Sequence, residues 1–322
     1  MYLCRGKSYT TSSCRIPQGG NAARVDGRSG VMWCTCHFFF GFHPTLRHLC
    51  VKVHSMSQVV LVTGASSGIG REIAITLHRH DFKVYGTSRH PEKYSELPFT
   101  MLALDLHKPD SFTSAINELI KREGRLDVLV NNAGAGITGP LEETPLYESK
   151  KAFESNFFGP MELINRVLPV MRQQNSGCII NISSIAGYMG LPFRGIYSAT
   201  KAALEIITEA YRIELAPFNI RIFSIAPGDF STNIAAGRYH APIISESPYA
   251  KTYGQTLALI DSHVDHAPSP EPMAQKVLKL IHNSSPRPHY AVGSALQKFS
   301  LVLKRLLPQK LYERMLRNHY KL

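Results

Sequence analysis

A tyrosine and a lysine stand four positions apart in the stretch Gly195-Ile-Tyr-Ser-Ala-Thr-Lys201, at the start of a predicted helix that runs to about Ala216. Positions i and i+4 share one face of a helix, so Tyr197 and Lys201 are expected to project together. An ammonium beside a phenol stabilises the phenolate, which suits the pair to exchange a proton with a substrate oxygen. Ser184, thirteen positions before Tyr197, is placed to hydrogen-bond to the same oxygen. A lone Tyr-x-x-x-Lys is common on exposed helices, so its meaning depends on the elements around it.

The first of these elements is a glycine-rich loop. The apolar run Val59–Val62 predicts a strand, Thr63–Gly70 follows with three glycines, and apolar residues then recur at helical spacing. A strand, a glycine-rich loop and a helix N-terminus in this order predict a cradle for a phosphate group. The alternative is an ordinary turn with incidental glycines, which the three spaced glycines disfavour. We therefore expect cofactor contacts from Gly64, Ser66, Ser67, Gly68, Ile69 and Gly70.

The end of the second predicted strand indicates which nucleotide the loop would hold. Ser88 ends the run Lys83–Ser88, Arg89 follows, and no acidic residue stands there. Sites for NAD use an acidic residue near this point to bind the ribose 2′-hydroxyl. A guanidinium instead matches a phosphate with two hydrogen bonds. Ser88 and Arg89 therefore predict NADP(H) in preference to NAD(H), unless Arg89 is only a solvated loop cation.

Strands and helices alternate along the rest of the body. Short turns between them imply the α/β class, a Rossmann-type doubly wound parallel sheet with helices on both faces and a ligand at the carboxyl ends of the strands. Further strands are predicted at Phe99–Leu104, Leu126–Val130, Cys178–Ser184 and Ile220–Ile225, and helices at Pro109–Glu123 and roughly Glu142–Gln174.

From roughly Met56 to Asn283, these motifs resemble the short-chain dehydrogenase/reductase family in order and spacing. With the extended tail, the chain looks most similar to the 17β-hydroxysteroid and retinol dehydrogenase-like members of the family. The stretches that carry the resemblance are Thr63–Gly70, Asn131-Asn-Ala-Gly134, Asn156, Ser184, Tyr197-x-x-x-Lys201, and Pro227-Gly228 with Thr232.

The resemblance implies a sheet of about seven strands, a nicotinamide cofactor and a catalytic tetrad. Tyr197 would be the general acid/base, Ser184 would steady the substrate carbonyl, and Lys201 would bind the nicotinamide ribose. Asn156 would hold a water molecule in a proton relay. Cofactor contacts are also implied for Asp105, Leu106, Asn132, Ala133, Gly134, Tyr197, Lys201, Pro227, Gly228 and Thr232. No metal site is expected.

The formal net charge of +12 is concentrated at the two ends, because residues 1–55 and 296–322 each hold seven Lys/Arg against a single acidic residue. A neutral body with basic ends does not indicate nucleic-acid binding. Five of the six cysteines lie in the first 50 residues, so the body has no disulfide framework, which fits the reducing cytoplasm. No apolar run is long enough to predict a membrane-spanning helix.

We expect three regions. Residues 1–55 form an unstructured or non-native extension, with Met56 as the favoured start. Residues 56–294 form the catalytic domain, in which Asp229–His266 is a substrate lid, and 295–322 form a basic amphipathic helical tail. The apolar stripe of the tail either packs on the body or on a second subunit, as in a homo-oligomer, or rests peripherally on an anionic membrane surface.

Together these patterns predict an NADP(H)-dependent oxidoreductase that interconverts a secondary alcohol and a ketone or aldehyde on a lipophilic substrate, such as a steroid, a retinoid or a fatty acyl chain. A 3-oxoacyl-thioester reductase is the alternative within enzymes. A non-catalytic, nucleotide-sensing protein with the same fold is the alternative outside them, which the complete tetrad disfavours.

Overall fold

The structure is a computed structural model that describes residues 57–231, 237–265 and 267–322, with the backbone only at 261 and 263–265. The predictions for residues 1–55 and Met56, and the prediction for Thr232, lie outside the described residues.

The main sheet of the described residues is parallel throughout, which confirms the prediction of a doubly wound parallel sheet of about seven strands. Its strands are β1 Val59–Val62, β2 Lys83–Ser88, β3 Thr100–Ala103, β4 Val128–Asn131, β6 Gly177–Ile182, β7 Ile220–Pro227 and β9 His289–Val292. They lie side by side in the order β3-β2-β1-β4-β6-β7-β9. A separate pair joins β5 Ile137–Thr138 to β8 Tyr239–His240.

Helices cover both faces of this sheet. They are α1 Gly68–Arg79, α2 Pro109–Glu123, α3 Leu146–Phe153, α4 Gly159–Gln174, α5 Gly195–Glu214, α6 Ala250–Asp265, α7 Glu271–Ile281, α8 Ala295–Leu306 and α9 Gln309–Tyr320. Successive side chains of a strand point to opposite faces. Val60 and Val62 accordingly pack with α1 and α7, whereas Val59 and Leu61 pack with α2 and α4. All four residues of β1 are buried, as expected for a central parallel strand.

The chain adds β2 and β3 on one side of β1 and then continues with β4 on the other side, so the strand order reverses between β1 and β4. This reversal determines where a ligand can bind. Val62 is paired with Gly86 of β2 and with Val130 of β4, so the loops that follow these strands begin at one level. A crevice therefore opens at the carboxyl ends of the strands, which is where open α/β sheets bind ligands.

The long helical region predicted over roughly Glu142–Gln174 is largely present, but it begins at Leu146 and is not one regular α-helix. Residues 142–145 precede α3, and a π-helical turn, Glu154–Phe158, separates α3 from α4. Pro160 lies in the first turn of α4 and has no N–H to donate back, so it cannot continue a regular ladder of hydrogen bonds. The π turn contains Asn156, and such turns are frequent at functional sites.

The tail packs on the short helical turn Ile185–Tyr188 that follows β6. Tyr312 of α9 is buried there with Ile185 and Met189, and its hydroxyl lies 2.9 Å from the Met189 sulfur. On α8, Gln297 donates a hydrogen bond of 2.7 Å to the Asp229 carboxylate. The tail is thus joined to the body beside the ends of β6 and β7.

The opposite face of α8 carries an exposed apolar stripe. It consists of Leu296, Phe299, Val302 and Leu306, and the first and last of these are each 74% exposed. Among the helices that the structure describes, none combines the length and the apolar character needed to cross a lipid bilayer.

Candidate active site

A cleft of about 410 Å³ opens at the carboxyl ends of the central strands and holds most of the predicted cofactor residues. Two others lie elsewhere: Gly70 packs beneath the loop, and Gly228 borders a second cavity. The predicted residues that line the cleft are Gly64, Ser66, Ser67, Gly68, Ile69, Ser88, Arg89, Asp105, Leu106, Asn132, Ala133, Gly134, Tyr197, Lys201 and Pro227.

Steric constraints hold the glycine loop in place. Gly64 has a φ of +66°, a conformation that favours glycine. A Cβ atom on Gly70 would lie 2.3 Å from the Asn132 side-chain nitrogen and 2.4 Å from the Gly64 carbonyl oxygen. The hydroxyl of Thr63 accepts hydrogen bonds of 2.9 Å from the backbone N–H groups of Asn132 and Ala133. These contacts tie the loop to the end of β4 and leave the N-terminus of α1 facing the cleft.

The loop after β2 supplies polar and cationic groups to the same cleft. Ser88, Arg89 and His90 all line it, and the Ser88 hydroxyl accepts a hydrogen bond of 3.2 Å from the His90 backbone N–H. No acidic residue lies between the end of β2 and Glu92. This corner therefore offers cationic and hydroxyl groups where a carboxylate would recognise an unphosphorylated ribose.

The Tyr197 ring lies near two cations. The Lys201 ammonium is 5.9 Å from the ring centroid and the Arg194 guanidinium is 5.4 Å from it. The Lys201 side chain is buried, and its Nζ donates a hydrogen bond of 3.0 Å to the Ile182 carbonyl. The arrangement places two positive charges beside the Tyr197 ring.

A second cavity, of about 70 Å³, brings Tyr197 and Ser184 together. The Ser184 hydroxyl accepts a hydrogen bond of 3.1 Å from the Ala186 backbone N–H, so its own hydrogen remains to be donated. The neighbouring Ser183 is turned differently, because its hydroxyl donates to the Lys201 carbonyl at 3.3 Å. Ser184 is therefore the serine that shares this cavity with Tyr197.

Asn156 lies behind the wall of the cleft. Its side chain is fully buried, accepts a hydrogen bond of 2.8 Å from the Ala135 N–H and donates one of 2.8 Å to the Ala135 carbonyl. It also donates to the Thr200 hydroxyl at 3.2 Å. The side chain thus braces the loop after β4 against α5, and Ser155 is the residue of this turn that lines the cleft.

Sequence reasoning missed three charged residues of the second cavity. Arg194, Asp229 and Arg238 line it together with Ser184 and Tyr197. The position of Arg194 just before α5 was a usable signal, whereas nothing in the sequence near Arg238 predicts its place. Other unpredicted residues line the main cleft: Thr87, Tyr94, Leu104, His107, Ala135, Ile182, Ser183 and Gly237.

The tail reaches the rim of this second cavity. Burial raises the pKa of Tyr320, the last residue of α9, and the nearby Arg194 guanidinium partly offsets the rise. Gln297 of α8 holds Asp229, which borders the same cavity. The C-terminal helices thus contact two residues that line this cavity, Arg194 and Asp229.

The residues of the cleft fit a nicotinamide dinucleotide. The glycine loop at the start of α1 suits a pyrophosphate, and Ser88 with Arg89 suits the adenosine ribose. At Gly134 a Cβ would lie 2.8 Å from the Asn156 Oδ1 and 3.6 Å from the Lys201 Nζ, so a larger residue would crowd both side chains. Gly134 thus lies next to Lys201, and both line the cleft together with Tyr197.

Comparisons with known proteins agree with this geometry. The family model described as short chain dehydrogenase matches residues 58–242. A 3-ketodihydrosphingosine reductase of Bacteroides thetaiotaomicron is 36% identical over 265 residues, which cover 82% of this chain and 98% of the relative.

Solved structures give the same result. A short-chain dehydrogenase from Streptomyces avermitilis superposes with a TM-score of 0.71 at 32% identity, covering 82% of this chain and 97% of that one. ElxO, solved with NADP bound, gives a TM-score of 0.61 at 28% identity and covers 74% of this chain and 97% of its own. On these matches and on the parallel sheet with its glycine cleft, this chain belongs to the short-chain dehydrogenase/reductase family, the NAD(P)-dependent oxidoreductases that interconvert alcohols and carbonyls.

Proposed function

We propose that the protein is an NADP(H)-dependent reductase of lipophilic ketones or aldehydes, with Tyr197 as its general acid/base. The observation that carries the proposal is the place of Tyr197, which borders the cofactor cleft on one side and the cavity of Ser184 on the other. A carbonyl oxygen between the two hydroxyls would stand next to the cofactor end of the cleft.

The residues of the chain divide the work of the reaction. When bound, the nicotinamide cofactor supplies or accepts the hydride at the carbonyl carbon. The Ser184 hydroxyl donates a hydrogen bond to the carbonyl oxygen and holds it near Tyr197. As negative charge develops on that oxygen, the Tyr197 hydroxyl gives it a proton, and the Lys201 ammonium stabilises the phenolate that remains. In the oxidative direction the same phenolate removes the proton from the alcohol.

The preference for NADP(H) rests on Arg89 and Ser88. Both line the cleft at the end of β2, where a ribose 2′-phosphate would lie. A guanidinium recognises a phosphate by charge and by paired hydrogen bonds, and a hydroxyl adds a donor. The absence of an acidic residue in this short loop removes the usual recognition of NAD(H).

The lipophilic substrate and a peripheral membrane contact rest on the tail. The stretch 296–322 holds seven Lys/Arg against Glu313, and α8 turns an apolar stripe to solvent. Apolar residues flanked by cations are typical of helices that lie in an anionic lipid surface. Because the other side of the tail adjoins the rim of the second cavity, a lipid carbonyl would have a short path from a cytoplasmic membrane surface. The similarity to a reductase of 3-ketodihydrosphingosine supports the same substrate class.

A 3-oxoacyl-thioester reductase is the second candidate. Its support is the polar lining of the second cavity, where Arg194, Asp229 and Arg238 lie beside Ser184. Such a lining would receive the polar arm of an acyl thioester more readily than a wholly apolar molecule.

A carbonyl panel tests the proposal and separates the candidates. NADPH oxidation is measured with 3-ketodihydrosphingosine, a steroid ketone and retinal in mixed micelles, and with acetoacetyl thioester in buffer, and each assay is repeated with NADH. We expect turnover on a lipid ketone or aldehyde with NADPH, and at least about 10-fold weaker use of NADH. Turnover confined to the thioester would favour the second candidate. NADPH binding without turnover on any carbonyl would contradict both and favour a nucleotide sensor.

A further inference from the structure

A buried carboxylate lies behind the proposed catalytic pair. Glu205 is on α5, one helical turn beyond Lys201, and is only 4% exposed. It lines neither the cleft nor the second cavity. A buried carboxylate is costly unless it is paired and hydrogen-bonded, so its partners indicate why it is tolerated.

Two strands supply those partners. Ser224 of β7 donates a hydrogen bond of 2.5 Å to the Glu205 Oε2, and the His289 Nδ1 of β9 lies 2.5 Å from the same oxygen. The other ring nitrogen of His289 lies 2.7 Å from the Glu209 carboxylate. With a carboxylate at each nitrogen, the ring is expected to carry both hydrogens, as an imidazolium does.

The titration of this pair agrees with its geometry. Burial by itself would raise the pKa of Glu205, but hydrogen bonds from His289 and Ser224 outweigh burial and hold that pKa below its ordinary value. The hydrogen bond to Glu205 raises the pKa of His289 against the effect of burial, and Glu209 adds to the rise. Both shifts favour the charged form of each partner.

The same pair reaches the strand end that holds Ser184. Ser183 hydrogen-bonds to the Lys201 carbonyl at 3.3 Å through its hydroxyl and to the Ile225 carbonyl at 2.9 Å through its N–H, and it also interacts with Glu205. Ser183 thereby links the end of β6 to α5 and to β7, directly before Ser184.

The turn after Ser184 contacts the pair as well. The Tyr188 ring stands edge-on to the His289 ring, with centroids 6.3 Å apart. Burial raises the pKa of Tyr188, and the charge of Glu205 and a hydrogen bond to it add to the rise. Arg305 of α8 is the other charged group that acts on Tyr188. The ion pair thus interacts with Ser183, which precedes Ser184, and with Tyr188 in the turn that follows it.

We propose that Glu205 and His289 form a positioning ion pair that fixes the helix of Tyr197 and Lys201 against the strand end of Ser184, so that both hydroxyls face one substrate oxygen. The proposal rests on the catalytic roles proposed above for these three residues. Neither member of the ion pair touches the cleft, so each acts through Ser183, Tyr188 and the backbone of α5. A displacement of about 1 Å between reacting groups lowers turnover strongly while leaving the glycine loop intact.

A matched pair of variants tests this role. Glu205→Gln keeps the shape and removes the buried charge, whereas Glu209→Gln removes the other carboxylate that faces His289, on the same helix but largely exposed to solvent. We expect Glu205→Gln to lower kcat at least about 10-fold and to leave the Kd of NADPH within about 2-fold. Glu209→Gln should change both by less than about 2-fold. Equal values of kcat in the two variants would overturn the proposal.

A pH profile separates positioning from simple loss of stability. In His289→Gln the charged partner that helps to keep the pKa of Glu205 low is gone, so burial raises that pKa and the acid limb of kcat moves to higher pH. Glu205→Gln has no carboxyl to titrate and should lack this shift. A His289→Gln profile that superimposes on that of the wild type, with only a lower Tm, would also overturn the proposal.

Two further variants keep the outcome clear. If Glu205→Gln does not fold, Glu205→Asp and His289→Gln carry the test, and Glu205→Asp is expected to retain an intermediate kcat. Retained turnover in Tyr197→Phe would reject the proposed catalytic roles themselves. Equal effects of the two glutamate substitutions would reject only the ion pair.

Discussion

At the scale of single residues, we expect charge to determine which nicotinamide cofactor the cleft prefers. Arg89 and Ser88 stand at the end of β2, and the residues between them and Glu92 carry no carboxylate. Hydrogen bonds between a guanidinium and a phosphate are among the stronger ones in proteins, at about 1.5–3 kcal/mol each. A single side chain can therefore set the choice between the two nicotinamide cofactors.

Replacing Arg89 with alanine should weaken NADPH selectively. We expect the Kd of NADPH to rise about 10- to 100-fold and that of NADH to change less than about 3-fold, because only NADPH presents a phosphate there. Fluorescence titration of the bound nucleotide measures both constants. Lys93→Ala is the control, since Lys93 lies on the next turn and does not line the cleft. Equal losses for both nucleotides would contradict the assigned role of Arg89.

At the scale of secondary-structure elements, the loop between β1 and α1 and the junction of α5 with β7 and β9 hold the site together. The loop is tightly packed, because Gly70 lies against the Gly64 backbone with no room for a side chain. The junction depends on the buried ion pair between Glu205 and His289. The first of these lies at the cofactor cleft, and the second lies behind it.

The substitution Gly70→Ala should disrupt the loop. The new Cβ would meet the Gly64 carbonyl at 2.4 Å, and backbone cannot yield as a flexible side chain does. We expect a loss of about 1–3 kcal/mol in the free energy of unfolding and a weaker binding of NADPH. Gly190→Ala is the matched control, because a Cβ there meets nothing within 4 Å. Denaturant unfolding that shows the same stability for both variants would reject this view of the loop.

The ion pair predicts a pH-dependent contribution to stability. Because the pKa of His289 is raised in the folded protein, its stabilising effect is complete below its unfolded pKa and is lost as the pH rises through the folded value. The difference in Tm between the wild type and His289→Gln should therefore be larger at pH 6 than at pH 9. A difference that is constant across this range would show that His289 contributes by packing alone.

At the scale of the whole molecule, the C-terminal tail has one side packed on the body and another exposed to solvent. One side of α8 and α9 packs on the turn after β6, and the other side of α8 exposes Leu296, Phe299, Val302 and Leu306. Each apolar side chain that enters lipid contributes about 1.5–3 kcal/mol, and nearby lysines add about 1 kcal/mol each on an anionic surface. The tail therefore suits salt-dependent binding to anionic membranes.

Vesicle co-sedimentation checks this expectation. The wild type should bind vesicles of phosphatidylcholine with phosphatidylserine, less so at high salt. Phe299→Ser/Leu306→Ser should lower the partition coefficient at least about 10-fold without changing Tm, since both side chains are exposed. Leu141→Ser/Leu146→Ser removes two exposed leucines outside the tail and is the control. Equal vesicle binding by the two double variants would contradict a membrane contact through the tail.

The sheet and most of the cleft could be predicted from the sequence, because their signals are local. The Val59–Val62 run, the three glycines after it and the spacing of Tyr197 and Lys201 each lie within a few residues. The π turn at Asn156, the charged cavity around Arg194 and Arg238 and the pairing of Glu205 with His289 were not predictable in this way. They arise from tertiary packing between distant segments, and the spacing of residues in the sequence carries no signal for them.

The most direct test of the central claim is the turnover of Tyr197→Phe. The substitution removes one hydroxyl and leaves the ring between Lys201 and Arg194. With the best carbonyl of the panel, we predict a kcat at least about 100-fold below that of the wild type and a Kd for NADPH within about 3-fold of it. A variant that binds NADPH normally and retains more than about a tenth of the wild-type kcat would contradict the assignment of Tyr197 as the proton donor.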